Sequence, residues 1–201
     1  MNIKADPLNL VICGVGGQGN ILISRMIGRI LFRKGYYVTI GETFGAAQRG
    51  GAVHSSMRVS KKREYGPLIP TGKAHCIAGL EPLETLRMLR IYGNDKVFTI
   101  TNTQPVYPVS VVSGKHKYPE YSELTKMIAE LSLKSWLVNV TDIANILGAP
   151  IVSNIILLGS LVGIQCLPLT VKEVQNEIRS TLPPKVVDLN LKALTLGLQA
   201  V

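Results

Sequence analysis

The chain is poor in the residues from which redox and metal sites are usually built. It has three cysteines, Cys13, Cys76 and Cys166, none in a CxxC or Cys/His spacing. That pattern argues against an iron–sulfur or zinc site in this chain and for reduced, structural thiols. Its thirteen acidic residues do not gather into a metal-binding pattern, and there is neither a GxSxG elbow nor a GxxxxGK(S/T) phosphate loop. Aromatic residues are scarce, and none alternates with the one tight basic run, Lys61-Lys62-Arg63, as a nucleic-acid stacking platform requires. The longest apolar run, residues 151–168, contains Ser153, Asn154, Ser160 and Gln165 and ends at Pro168. It is too short and too polar to span a bilayer and reads as a buried helix. Gly159 and Gly163, four residues apart, put one open face on that helix for close approach of another backbone. The N-terminal "MNIKADPLN" lacks the pattern of a signal peptide, so a cytoplasmic location is expected.

What is present is a long, apolar, basic chain. At 201 residues it has room for one domain, and a core of that size needs no disulfide staples. The formal charge of +9 comes from 22 Lys and Arg spread along the sequence. Dispersed charge of this kind suits an acidic protein partner or a phosphate-bearing ligand, and neither nucleic acid nor membrane is expected as a partner. The basic run itself reads as a solvated hairpin tip.

The hydrophobic pattern alternates strands with helices. Residues 8–13 form a short apolar run bounded by Pro7 and Gly14, as in a strand buried on both faces. Residues 19–34 carry Ile21, Leu22, Met26, Ile30 and Leu31 at helical spacing, with Gly35 at the C-cap position. "YYVTI" at 36–40 is a second strand, so the opening is a βαβ unit. "AVHSSMRVS" alternates as a strand and is expected to pair with "EYGPLI" through the basic turn. Further strands are expected at 74–80, 96–100 and 136–140. Helices are expected at 81–93 with Pro82 in the first turn, at 121–132, and at 141–148 capped by Thr141 or Asp142. Residues 102–119, with Pro105, Pro108 and Pro119, read as an extended connection. Helices at about 151–165, 170–181 and 186–199 close the chain. The fold class is therefore α/β, a Rossmann-like open and mostly parallel sheet with flanking helices and a helical C-terminal tail. Residues 1–201 are read as one domain, with about 150–201 as a helical elaboration.

Two glycine-rich turns carry the chemistry. Gly14, Gly16 and Gly19, with Gly17 and Gln18 between, satisfy GxGxxG after a strand and before a helix. Such a turn presents free amides and the positive end of a helix dipole to an anion. The acidic residue that a dinucleotide site wants after the second strand is present as Glu42, although it leads directly into more glycine. A stand-alone NAD(P)-binding oxidoreductase is therefore one reading. The second turn, "ETFGAAQRGGAVHSSMRVS", joins Gln48, Arg49, Gly50 and Gly51 to a strand bearing His54, Ser55, Ser56 and Arg58. Arg49 among small residues either offers a planar donor fork to a carboxylate or phosphate or pairs with a nearby side chain, and both readings stand. His54 and Ser55 would face opposite sides of a strand, which excludes a Ser–His nucleophilic pair. His54, His75 and His116 read as structural or surface residues.

Taken together, "GVGGQGN" and "ETFGAAQRGGAVHSSMRVS" resemble the gamma-type domain of the 2-oxoacid:ferredoxin oxidoreductase family, and "ETFGAAQRGG" is most similar to the small (beta) subunits of its indolepyruvate-specific branch. The later segments "TDIANILGAPIVSNIILLGSLVG", "LPLTVKEVQNEIRSTLPPK" and "NLKALTLG" resemble the same subunits in order and spacing. The resemblance implies a non-catalytic subunit of a complex that oxidatively decarboxylates 2-oxoacids on thiamine diphosphate, passes the acyl group to coenzyme A, and sends electrons through iron–sulfur clusters to ferredoxin. Thiamine and clusters are implied for a large partner subunit, so this chain carries no catalytic residue and no metal. Gly14, Gly16, Gly17, Gln18 and Gly19 match the family's first turn, and Gln48, Arg49, Gly50, Gly51, Ser55 and Arg58 its second. The implied role of these turns is an interface or a coenzyme A or anion contact. Asn20 stands where the family has an apolar residue, and Ala47 where it has serine or glycine. A chain built for a partner is expected to self-associate when isolated, through the interface left bare.

Overall fold

Six strands form one sheet in the order β2-β3-β1-β4-β5-β6, where β1 is Leu8–Val15, β2 Tyr37–Glu42, β3 Ala52–Ser60, β4 Cys76–Gly79, β5 Phe98–Asn102 and β6 Lys134–Val138. The computed structural model describes residues 5–42, 50–107, 109–114 and 117–201. β1 pairs parallel to β4, β4 to β5 and β5 to β6. β3 alone runs against the rest, pairing antiparallel with both β1 and β2. The expected parallel-rich sheet is present, with one antiparallel strand let into it.

That inserted strand corrects two sequence expectations. β3 occupies residues 52–60 as read from its alternation, but its partners are β1 and β2, with Leu8 opposite Val59 and Thr39 opposite Arg58. Among the described residues, 64–70 form no strand. Arg58 Nη1 donates to the carbonyls of Gly66 and Leu68, 3.2 Å each, and Ser56 Oγ donates to the Pro67 carbonyl at 2.9 Å. Side-chain bonds thus hold this segment beside β3 in place of a strand ladder, and Lys61-Lys62-Arg63 marks a strand end, not a hairpin tip. β1 and β2 point the same way, and the crossover between them spans the width of β3.

Every residue of β1 is buried, as a strand covered on both faces requires. Leu10 and Ile12 enter the larger core together with Ile23, Met26, Ile27 and Leu31 of α1 (Asn20–Arg33). Val11 and Cys13 face the smaller core, under α2 (Pro82–Tyr92) and α4 (Tyr121–Glu130). Pro82 takes the first helical position, and Glu81 Oε2 caps α2 by accepting from the Glu84 amide at 2.8 Å. Among its described residues, the proline-rich connection contains one short helix, α3 (Val109–Val112). α5 (Val140–Ile146) is capped by Asn139, whose Oδ1 accepts from the Asp142 amide at 3.0 Å. Neither Thr141 nor Asp142 plays the expected capping role, because the helix begins earlier.

The closing helices are α6 (Ser153–Gly163), α7 (Val171–Thr181) and α8 (Pro184–Gln199), and α6 follows a short 3-10 turn at Pro150–Val152. α6 is buried from Asn154 to Val162 and shares the larger core with β1 and α1. A Cβ on Gly159 would overlap the Leu194 carbonyl oxygen, and one on Gly197 would overlap that of Ile156. Ser160 Oγ donates to the Gly197 carbonyl at 2.8 Å across the same contact. The expected close-approach face is thus filled by α8. α7 is tied to α1 by Lys34–Glu173 at 2.9 Å and by Glu177, which meets Arg33 and, at 3.6 Å, Arg29. Burial pushes the Glu177 carboxyl up, but the bonds from Arg33 and Thr181 and the nearby Arg29 outweigh it and hold it below the usual carboxylate range. Among the described residues no helix is long and apolar enough to cross a membrane.

Candidate functional site

The two glycine turns meet in space. The Gly16 amide donates to the Gly51 carbonyl at 2.8 Å, and the Gly50 amide donates back to the Gly16 carbonyl at 3.3 Å. This contact sits at the carboxyl end of β1, where open α/β sheets place their ligands. The first turn needs its glycines for different reasons. Gly17 has φ +103° and Gly19 φ +88°, in the left-handed region that side chains resist. Gly14, by contrast, is buried against Leu80 Cβ and the side-chain Oε1 of Gln18, where a Cβ has no room.

Gln18 closes the turn from inside. Its Oε1 accepts from the Val15 amide at 2.6 Å and its Nε2 donates to the Leu80 carbonyl at 3.1 Å. Both bonds go to backbone, not to a ligand. The Leu80 carbonyl also accepts from Asn102 Nδ2 at 3.1 Å, and Asn102 Nδ2 lies 2.9 Å from Thr141 Oγ1. A polar chain thus links the carboxyl ends of β1, β4 and β5 to α5. Sequence reading missed Asn102, whose one signal is an amide side chain at the end of β5, after Phe98, Thr99, Ile100 and Thr101. Asn20 ties α1 to β3 by donating to the Val53 carbonyl at 3.3 Å, and its Oδ1 is buried without a partner among the described residues.

Beside the joined turns lies a cavity of about 280 Å³, walled by Val15, Gly16, Gly17, Gly19, Asn20, Ile21, Glu42, Val53, His54 and Ser55. α1 opens toward it with no side-chain cap and no acidic residue in its first turn, so its positive dipole end is not neutralised locally. Glu42, only 9% exposed, is held by Arg25 at 3.3 Å. His54 is half-buried, and burial lowers its pKa, which favours the neutral imidazole. Its ring lies 6.0 Å from that of Tyr92. Ser55 is buried, and adjacent positions on β3 send the two side chains to opposite faces, as expected.

Other anticipated residues fall elsewhere. Gln48 and Arg49 lie outside the described residues, as does His116. Arg58 is a structural residue. Its Nε donates to Asn9 Oδ1 at 3.2 Å, and its guanidinium stacks 4.7 Å over the Tyr65 ring, on the segment that flanks β3. His75 accepts the Asn9 amide at Nδ1, 3.0 Å, and is structural as read. All three cysteines are free and buried, and burial pushes the Cys13 thiol far up, so it is no nucleophile at neutral pH. Among the described residues no three His, Cys, Asp or Glu side chains are placed to hold a metal. The arrangement can bind and position: among the described residues, the ionisable groups in the cavity wall are Glu42, engaged by Arg25, and His54, favoured neutral by burial.

The sequence profile of "Pyruvate ferredoxin/flavodoxin oxidoreductase" matches residues 9–200. The indolepyruvate oxidoreductase subunit IorB of Archaeoglobus fulgidus is 40% identical over 190 residues, covering 94% of this chain and 93% of that protein. IorB of Pyrococcus horikoshii is 36% identical over 96% of this chain and 95% of its own length. Among solved structures, the pyruvate oxidoreductase subunit PORC of Thermotoga maritima superposes with a TM-score of 0.70 at 18% identity, covering 98% of this chain and 97% of that one. A 2-oxoglutarate:ferredoxin oxidoreductase from Magnetococcus marinus, solved with 2-oxoglutarate, coenzyme A and succinyl-CoA bound, superposes with a TM-score of 0.72 at 18% identity, covering 98% of this chain and 32% of that one. These structures share the fold.

Proposed function

The chain belongs to the pyruvate ferredoxin/flavodoxin oxidoreductase family, and from that premise we propose that it is the small, non-catalytic subunit of an indolepyruvate oxidoreductase complex. The observation that carries this reading is the joined pair of glycine turns at the sheet's carboxyl end, beside a small cavity, in a chain that matches IorB subunits over almost its whole length. In the proposed complex, thiamine diphosphate and iron–sulfur clusters belong to a large partner subunit and supply decarboxylation and electron transfer to ferredoxin. This chain's described residues do not suit either group, since its thiols are buried in the core and no ligand cluster exists.

Coenzyme A fits in part. A volume of about 280 Å³ lies at the lower end of small-ligand sites, enough for a fragment such as a diphosphate and not for a whole coenzyme. Gly16, Gly17 and Gly19 with the open end of α1 would hold that fragment, and a partner surface would complete the site. Arg49, Gly50 and Gly51 of the second turn are assigned to the same contact. The dinucleotide reading has Glu42 in the cavity wall in its favour. Against it, Arg25 already engages that carboxylate, and β3 separates the two strands that a nicotinamide site places side by side.

Co-expression with the large thiamine-dependent, cluster-bearing chain tests the proposal. Indolepyruvate-dependent viologen reduction should require both chains. Full activity from the large chain alone, or a fluorescence change of Trp136 on adding NADH to this chain alone, would contradict it.

A further inference from the structure

β2 is an edge strand, and it lacks the devices that normally blunt an edge. Its sequence, Tyr37 to Glu42, contains no lysine or proline, and its one charge is occupied by Arg25. The opposite edge, β6, begins with Lys134, whose ammonium sits 4.5 Å above the Trp136 ring. Along β2, on the side of α1, two hollows of about 530 and 270 Å³ share Phe32 and Val38. Phe32 is 72% exposed and Tyr37 50%, both unusual for aromatic side chains beside an unpaired strand. Gly28 deepens the groove, since a Cβ there would crowd Ile40 Cδ1 at 2.9 Å.

The rim is basic. Lys61, Lys62 and Arg63 stand exposed at the adjoining end of β3, and Arg25 and Arg29, though paired with Glu42 and Glu177, keep 57% and 55% of their side chains exposed. Lys61 also lies 4.1 Å over the Tyr36 ring, which carries the positive charge to the mouth of the larger hollow. Exposed acid at this rim comes from Glu64 and from Asp6, whose carboxylate accepts from Ser60 Oγ and the Lys61 amide, while Glu42 is engaged and largely covered; the five basic residues still outnumber them. A second copy of this chain would bring an identical cationic rim against the first, and like charge disfavours that pairing. An acidic strand meets complementary charge on the rim, aromatic and aliphatic surface in the groove, and a backbone ladder that is unpaired among the described residues.

We propose that the groove along β2 seats an extended, acidic segment of the large partner subunit, which joins the sheet as a seventh strand. The inference rests on the subunit reading above and adds to it the surface and the chemistry of assembly.

The test uses the complex of this chain with the large subunit. Wild type is compared with Phe32→Glu, with the triple charge reversal Lys61→Glu/Lys62→Glu/Arg63→Glu, and with Leu137→Lys on β6 as a control. All of these positions are exposed, and circular dichroism and melting of the isolated chain verify that each variant folds. The expected result is a rise in Kd of at least about tenfold for the two groove variants, none for the control, affinity that falls with added salt, and slowed amide exchange in residues 38–42 on assembly. Unchanged exchange in β2 on assembly, or groove variants that bind within twofold of wild type, would overturn the inference while leaving the subunit reading intact. Concentration-dependent protection of β2 in the isolated chain, matching that in the complex, would overturn it in favour of a second copy. Failure of the wild type to bind the large subunit would overturn both.

Discussion

Glycine does opposite work in the two halves of this molecule. In the turn after β1, Gly17 has a left-handed backbone and open space around it, and a cavity lies beside the loop. In the α6–α8 contact, Gly159 and Gly197 have ordinary helical backbones and no space at all, because each touches the other helix's main chain. The first region is held open at the surface, and the second is closed to packing density. Substitution should therefore separate them: the helical pair ought to fail in stability, the turn in binding.

The largest effect is expected at Gly197→Leu, where a bulky side chain must displace the Ile156 backbone. Overpacking of this kind costs about 3 kcal/mol or more, well beyond the roughly 1 kcal/mol that helix propensity returns. Urea denaturation checks it, and a midpoint equal to wild type would break the comparison. If residues 1–201 are one domain, the loss should also appear as a single cooperative transition. Next comes Gln18→Ala, which removes the acceptor of the Val15 amide and one donor to the Leu80 carbonyl. A loss of about 1–3 kcal/mol follows from stranding the amide, and it should be accompanied by weaker coenzyme A binding in the assembled complex, read by calorimetry. Gly17→Ala should cost about 1–2 kcal/mol from its positive φ alone.

The smallest expected effect is a pH dependence. Glu177 is held below its unfolded value, so its contribution is present above about pH 4.5 and is lost as pH falls through the lower, folded value. Glu177→Gln should flatten that acid limb and lower stability at pH 7. Melting temperatures from pH 3 to 7 would show it, and parallel curves for variant and wild type would contradict the assignment.

These two regions were not equally legible in the sequence. The close-packed face of α6 could be read directly, since Gly159 and Gly163 four apart in an apolar run have one structural meaning. The turn was legible as a motif, but its geometry depends on pairing between distant strands. Alternation marked residues 52–60 as a strand without saying that it lies between β1 and β2, because period 2 encodes faces and not neighbours. That insertion brings Gly50 and Gly51 onto Gly16. Gln18 and Arg58 are legible as residues of the two turns, but each satisfies backbone or buried polar atoms created by tertiary contacts. Local sequence carries no trace of such partners. Asn102 was missed for the same reason, as its bonds reach Leu80 and Thr141.

The most direct test sets the two regions side by side in one assay: indolepyruvate-dependent viologen reduction by complexes carrying Gly17→Ala or Gly159→Ala, each normalised to the amount of assembled complex. An open functional turn and a closed structural contact predict that Gly17→Ala loses about tenfold or more per complex, equivalent to roughly 1.4 kcal/mol of transition-state stabilisation, while Gly159→Ala yields less complex of unchanged specific activity. Full specific activity with Gly17→Ala would contradict the assignment of the turn to function.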